Sequence, residues 1–245
     1  MVSLPHNSNQ ELSRAFTEFR AGPVDTITKL FWNLNENTLL KLALSHSEMG
    51  EYVLDLGCGS GGYCALLAMK DRECTGIDPL WESSLENVVK NRGPEERYPD
   101  YIQASSEYIP LRSQRYDVIL CISTLQHVNN QISTLHEIRR VAKPGATVIF
   151  SVPQTFRKAT FNKLGLYTMH FNVKILKKLL EETDFHIIKI SGCGFFMPLT
   201  GKILNMVYPI LGEKRSHDLL LALDFFSDKI PSLASSIIIV TEAEK

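Results

Sequence analysis

No excess of either charge marks this chain. Its 26 lysines and arginines stand against 27 aspartates and glutamates over 245 residues, for a formal net charge of -1. A nucleic-acid binder carries a basic excess or a basic stripe, so no nucleic-acid partner is expected. Long apolar runs are missing too. The most apolar stretch, residues 195–211, contains Pro198, Lys202 and Pro209 and is too short and too broken to span a bilayer. Residues 1–16 lack the basic region and apolar run of a secretory signal. The five cysteines, at 58, 64, 74, 121 and 193, form no C-x-x-C pair. That argues against a disulfide framework and against a bound metal, and fits reduced thiols in a cytoplasmic protein. Internal repeats, low-complexity tracts and an interdomain linker are also absent. What remains is 44% hydrophobic and 22% charged, enough to fill one sizeable core.

The order of periodic segments carries the fold. Residues 26–46 have helical apolar spacing through Ile27, Leu30, Phe31, Leu34, Leu39, Leu42 and Ala43. Short apolar strands are expected at 52–56, 74–78, 101–103, 117–122, 146–152, 185–190 and 237–240. Helices are expected at 63–70, 82–91, 130–142 and from 172 to about 183, with Lys143-Pro144-Gly145 ending the third. Strands that alternate with helices imply a parallel sheet covered on both faces. Two stretches interrupt the alternation, 153–171 and 193–233, and are too long for plain connections. The chain is therefore read as one domain over 1–245, with a helical cap (1–50), a core (51–152) and two insertions on the substrate side.

The sharpest local signal is Val53-Leu54-Asp55-Leu56-Gly57-Cys58-Gly59-Ser60-Gly61-Gly62. A buried strand runs into four glycines in six residues, as a close backbone approach to a ligand requires. Gly57, Gly59 and Gly62 satisfy the dinucleotide pattern G-x-G-x-x-G. Asp78, at the end of the next strand, could hold ribose hydroxyls of either a dinucleotide or an adenosyl cofactor. Asp55 shifts the balance. A carboxylate at the strand's end repels a pyrophosphate and suits a cofactor bearing an ammonium, a preference of at least about 1 kcal/mol that grows with burial.

Asp55-Leu56-Gly57-Cys58-Gly59-Ser60-Gly61 resembles the first motif of the class I S-adenosylmethionine-dependent methyltransferases, in particular the small-molecule, ubiquinone-biosynthesis-like subfamily. Three further segments resemble that family in the right order: Gly76-Ile77-Asp78, residues 105–111 followed by Tyr116-Asp117-Val118-Ile119, and Arg140 to Ala146. The resemblance covers roughly residues 50–152. It implies a Rossmann-like, mostly parallel seven-stranded sheet with an antiparallel last strand, and S-adenosylmethionine as cofactor. It also implies roles. Asp78 would bind the ribose; Gly57, Cys58, Gly59 and Gly61 would pass the backbone beneath the cofactor; Asp55 would help hold the methionine end. Pro79 and Leu80 would flank the adenine, with Ser105 and Ser106 at its edge. Cys121 would offer its carbonyl to the ammonium, and Gln126 would line the pocket. The family often carries aspartate where Ser105 stands here, so the contact to the adenine amino group has no obvious donor-accepting carboxylate at that position.

Methyl transfer from a sulfonium is an in-line displacement governed by positioning, and a hydroxyl acceptor also needs its proton removed. His127, just after the 117–122 strand, is the candidate base; the plainer alternative is a histidine that packs the loop. Tyr167 and His170, in the first insertion, are candidates for acceptor binding, with ordinary loop residues as the alternative. Asn129 and Asn130 read as helix N-caps, His136 and His186 as structural residues, and Trp32 and Trp81 as packing residues. The apolar residues of the second insertion suit either helical packing on the sheet or a lid over an apolar acceptor such as a lipid, quinone precursor, polyketide or lipid-linked sugar. A nicotinamide-dependent oxidoreductase and a cofactor-binding subunit without turnover are the competing readings. The sequence sets no oligomeric state.

Overall fold

The computed structural model describes residues 26–48, 50–80, 99–154, 160–161, 167–195 and 197–243. Helix α1 (Thr26–Ser45) precedes β1 (Tyr52–Leu56), α2 (Gly62–Ala68), β2 (Glu73–Asp78), β3 (Asp100–Gln103) and β4 (Tyr116–Ile122). There follow α3 (Gln131–Val141), β5 (Ala142–Pro153), the two-residue strands β6 (Thr160–Phe161) and β7 (Tyr167–Thr168), and α4 (Val173–Glu182). Strand β8 (Phe185–Phe195), the long α5 (Met197–Lys229) and β9 (Ala234–Ala243) complete the chain. The helix expected at 82–91, and Trp81 before it, lie outside the described residues, as does the side chain of Trp32.

Seven strands form one sheet in the order β3-β2-β1-β4-β5-β9-β8. All neighbours pair in parallel except β9, which runs antiparallel to both β5 and β8. This is the Rossmann-like sheet with an antiparallel last strand that the sequence led us to expect. Strand order reverses between β1 and β4, because β1 continues into β2 on one side while β4 returns on the other. In open α/β sheets such a switch point opens a crevice beyond the carboxyl ends of the strands, where ligands bind.

Strands β1, β2, β4, β5 and β9 are largely buried on both faces, which explains their continuous apolar runs. Alternate residues feed two cores. Leu54, Leu56, Ile119, Phe150 and Ile239 meet Leu135 and Ile138 of α3 and Leu176 and Leu180 of α4. On the other face Val53, Val118, Leu120, Ile149 and Ile238 meet Leu30, Phe31 and Leu34 of α1, Leu67 of α2, and Leu204 and Leu220 of α5. Asn130 and Asn172 cap α3 and α4 by accepting the Ser133 and Ile175 N–H groups at 3.0 and 2.9 Å, the role asparagine plays best.

Several boundaries differ from those read from sequence. Strand β5 begins at Ala142, four residues early, because Ala142 pairs with Tyr116 and the register shifts before Val118 meets Thr147. Lys143-Pro144-Gly145 therefore forms an irregularity inside the strand, held by Lys143 Nζ to Asp117 Oδ1 at 2.6 Å. Strand β8 runs on to Phe195 because β9 pairs with it that far, so the second insertion starts only after that residue. Helix α5 consists of two helical segments joined at Gly212 (φ 70°, ψ 179°). It packs on the sheet beside α1, turning Leu204 and Leu220 inward and Met206, Ile210 and Phe225 outward.

Asp224 fastens the second segment of α5 to the end of β8. Its Oδ1 accepts the Gly194 and Phe195 N–H groups at 2.6 and 3.3 Å and the Ser227 hydroxyl at 2.7 Å. Asp224→Ala strips the acceptor from donors at a half-buried junction and is expected to cost about 2 kcal/mol of unfolding free energy. Urea denaturation measures this, and an unchanged midpoint would mean that water replaces the carboxylate without loss.

Candidate functional site

The glycine turn is shaped by what lies against it. Gly57 donates its N–H to Ile77 O at 2.7 Å, tying the end of β1 to the end of β2. Its φ is +74°, and a Cβ built there would stand 2.1 Å from Thr124 Oγ1. Thr124 is fixed in turn, its hydroxyl bonding to Leu56 O at 2.9 Å and Ile122 O at 3.0 Å. Gly61 (φ +77°) faces Tyr101, whose hydroxyl donates to Gly61 O at 2.9 Å. Glycine is thus demanded twice, by backbone conformation and by neighbours that leave no room for a side chain.

At the switch point lies a cleft of about 460 Å³, within the usual range for a small-molecule site. Gly57 and Ile77 form its base, Asp78, Pro79 and Leu80 one wall, and Ser105, Ser106 and Glu107 the next. Ser123, Thr124, His127, Val128 and Asn129, after β4, close the third side. Asp78 is pre-set by two backbone donors: Gly59 N–H to Oδ2 and Leu80 N–H to Oδ1, each at 2.9 Å. Lone pairs on both oxygens remain for a ligand's hydroxyl groups. The site fits an adenosyl group on these observations: a bare backbone floor, an oriented carboxylate and apolar surfaces at Ile77, Pro79, Leu80 and Val128.

Of the candidates named from sequence, Gly57, Asp78, Pro79, Leu80, Ser105, Ser106 and His127 line this cleft. The others are not among its lining residues. Asp55 is 2% exposed on the face toward α2, with Cys64 Sγ 3.9 Å from its Oδ2. Cys58, Gly59, Gly61, Cys121 and Gln126 are not among the lining residues. Gly59 acts through its bond to Asp78. Gln126 is 3% exposed with an amide oxygen that accepts no hydrogen bond from the described residues, and its carbonyl accepts the Met169 N–H at 2.8 Å. That bond brings half-buried His170 and strand β7 alongside the β4–α3 loop. The Tyr167 side chain lies outside the described residues. Asn129, expected as a cap, lines the cleft instead.

Burial pushes the thiols of Cys74 and Cys121 up to about 12, with the Asp55 charge adding to it, and raises Cys64 by the same causes. All five cysteines are buried and outside any disulfide. Neutral, enclosed thiols such as those of Cys64, Cys74 and Cys121 are poor nucleophiles. Desolvation lowers the pKa of His127, which keeps its imidazole neutral, the form that accepts a proton. No group of three or more His, Cys, Asp or Glu among the described residues could hold a metal ion, and no helix among them is long and apolar enough to cross a membrane.

Sequence reasoning missed Thr124 and Glu107. Thr124 became visible only when the fold brought it against Gly57. Glu107 lies inside a segment already singled out, and its signal was a charge two residues past Ser105.

Residues 54–150 match a methyltransferase domain family. A ubiquinone biosynthesis O-methyltransferase of Vibrio atlanticus is 31% identical over 166 residues, which cover 62% of this chain and 69% of that protein. The corresponding protein of Pseudoalteromonas translucida is 34% identical over 138 residues, 54% of each chain. The chain thus spans about half the length of the first of the curated relatives it matches. Among solved structures, a Burkholderia thailandensis 1,6-didemethyltoxoflavin N1-methyltransferase with bound S-adenosylhomocysteine superposes with a TM-score of 0.60 at 13% identity, covering 100% of this chain and 94% of that one. The 4+2 cyclase SpnF does so with a TM-score of 0.62 at 16% identity, covering 97% and 96%. At these identities the structures speak for the fold alone.

Proposed function

The chain belongs to the class I S-adenosylmethionine-dependent methyltransferases, and we propose that within them it methylates a hydroxyl oxygen of a small, largely apolar acceptor. The cofactor of that family is S-adenosylmethionine, so the nicotinamide reading of the glycine turn is set aside. The observation that carries the proposal is the gathering of Gly57, Asp78, Ser106 and His127 around one cleft at the switch point. Oxygen as the accepting atom is supported by the O-methyltransferases among the relatives and by the histidine that lines the cleft. Carbon, nitrogen and oxygen acceptors share this fold, which by itself selects none of them.

When bound, S-adenosylmethionine supplies a sulfonium methyl group for in-line displacement by the acceptor oxygen. Asp78 accepts hydrogen bonds from the ribose diol, and its two N–H partners hold it in place before ligand arrives. The floor at Gly57 admits close approach. Ile77, Pro79, Leu80 and Val128 would offer apolar surface to the base. His127 takes the acceptor's hydroxyl proton as the carbon–oxygen bond forms. His170 and the β7 segment, tied to the β4–α3 loop, stand on the acceptor side.

The test is calorimetric titration with S-adenosylhomocysteine, with NAD as control, on the full chain and on Asp78→Ala. Micromolar binding of the first alone is expected. The variant should bind about 10- to 100-fold more weakly, as loss of hydrogen bonds to a charged acceptor implies. Preferential binding of NAD would overturn the proposal, and unchanged affinity in a folded variant would overturn the role of Asp78.

A further inference from the structure

Helix α5 turns a second apolar face to the solvent. In its first segment Leu199, Ile203, Met206 and Ile210 are exposed, Met206 by 72% and Ile210 by 82%. They recur at spacings of four, three and four residues, which places them in one stripe along the helix, the pattern of a helix–helix seam. The opposite side is already in use: Leu204 is buried in the core, and the Thr200 hydroxyl donates to Phe195 O at 2.6 Å. Between Met197 and Leu211 the sequence holds a single charged residue, Lys202. None of the residues that line the cofactor cleft comes from α5, so the stripe is not a wall of that cleft. Single exposed apolar residues are ordinary, whereas an ordered row of them marks an interface.

Past Gly212 the pattern continues. Leu221, Phe225 and Phe226 are exposed as well, with the two rings edge to face at 5.9 Å between centroids. These three and the stripe together expose roughly 800 Å², the area per partner of a standard specific interface. Charge selects the occupant. Helix α5 carries four cations and four carboxylates. A helix that lies on anionic lipid is rich in lysine and arginine, and this one has no such excess. A two-fold interface uses the same patch on both chains and must be self-complementary. An uncharged stripe with balanced charges around it meets that condition. We infer that the outward face of α5 is the docking surface for a second copy of this chain, with the stripe packed against its counterpart across a two-fold axis.

The experiment measures the mass of the full chain by light scattering during gel filtration, over a range of concentrations. Wild type is compared with the double variant Met206→Glu, Ile210→Glu. Wild type should reach twice the 27.7 kDa of one chain. The variant should stay at one chain, dissociating at least about 100-fold more readily, because pairing would bury unpaired carboxylates. Both positions are exposed in the single chain, so the variant should fold and still bind S-adenosylhomocysteine. Hydrogen exchange on the wild type needs no substitution: the amides of 199–210 should exchange more slowly in concentrated than in dilute solution. The inference is overturned by a wild type of one-chain mass at every concentration, by a variant of doubled mass, or by exchange at 199–210 that ignores concentration. A single-copy wild type that sediments with vesicles of phosphatidylcholine and phosphatidylglycerol would give the face to lipid and overturn it too.

Discussion

Gly57→Ala is expected to melt on the order of 10 °C below the wild type, the shift that several kcal/mol produces in a chain of this size. Two costs combine. Alanine at φ +74° pays about 1–2 kcal/mol for the left-handed backbone. The added Cβ, 2.1 Å from Thr124 Oγ1, forces a shift worth a further 1–3 kcal/mol or so. Thr124 cannot swing aside freely, since its hydroxyl holds Leu56 and Ile122 together at the ends of β1 and β4. Relief must come from moving one strand end against the other, and both ends bound the cleft. A displacement of about an ångström at a reacting site can cost 10²-fold in rate, so turnover should fall by about that factor even in the folded fraction. Calorimetric melting and steady-state assays measure the two effects. A variant that melts and turns over like the wild type would mean that Thr124 and the turn yield more easily than their bonds suggest.

The largest effect on rate is expected at His127. With a hydroxylated acceptor that the wild type methylates, His127→Ala should lose about 10²- to 10⁴-fold in turnover, the range for a missing general base. Affinity for S-adenosylhomocysteine should stay within about twofold, because the imidazole makes no bond that orders the adenosyl side. The pH profile gives an independent readout. Desolvation lowers the His127 pKa, so the neutral base is fully present at neutral pH. It is lost only as pH falls through a value below the usual histidine figure of about 6.5. Activity should therefore have an acidic limb below that figure, and the limb should vanish in the alanine variant. Unchanged turnover would return His127 to a packing role.

Much of the fold was legible because its parts obey local rules. Apolar strands such as Tyr52–Leu56 run directly into glycines, and Asn130 announces the start of α3. The glycine turn and Asp78 could be read as a ligand site because their residue types have few other uses at strand ends. Contacts between segments distant in sequence could not be read. Nothing around Thr124 signals that it faces Gly57, 67 positions earlier. Asp55 shows the limit most plainly. Its charge beside the turn suggested a ligand contact, and the structure adds a neighbour that no local pattern announces, Cys64 Sγ at 3.9 Å from its Oδ2. Helix α5 was ambiguous for a related reason. Its apolar spacing specifies that a face is buried without naming what buries it.

The position of β9 bears on how the molecule is made. Strand β8 touches the rest of the sheet only through β9, which follows it in the chain. As synthesis proceeds, β5 and β8 each present an open edge until residues 234–243 emerge and close both with one insertion. Pairing so distant in sequence is slow to form, and open edges invite contact with other chains. The cleft is built from segments that all precede Phe150, so it can take shape while that final gap still stands. The segments that build the cleft and the strand that completes the sheet thus lie in different parts of the chain.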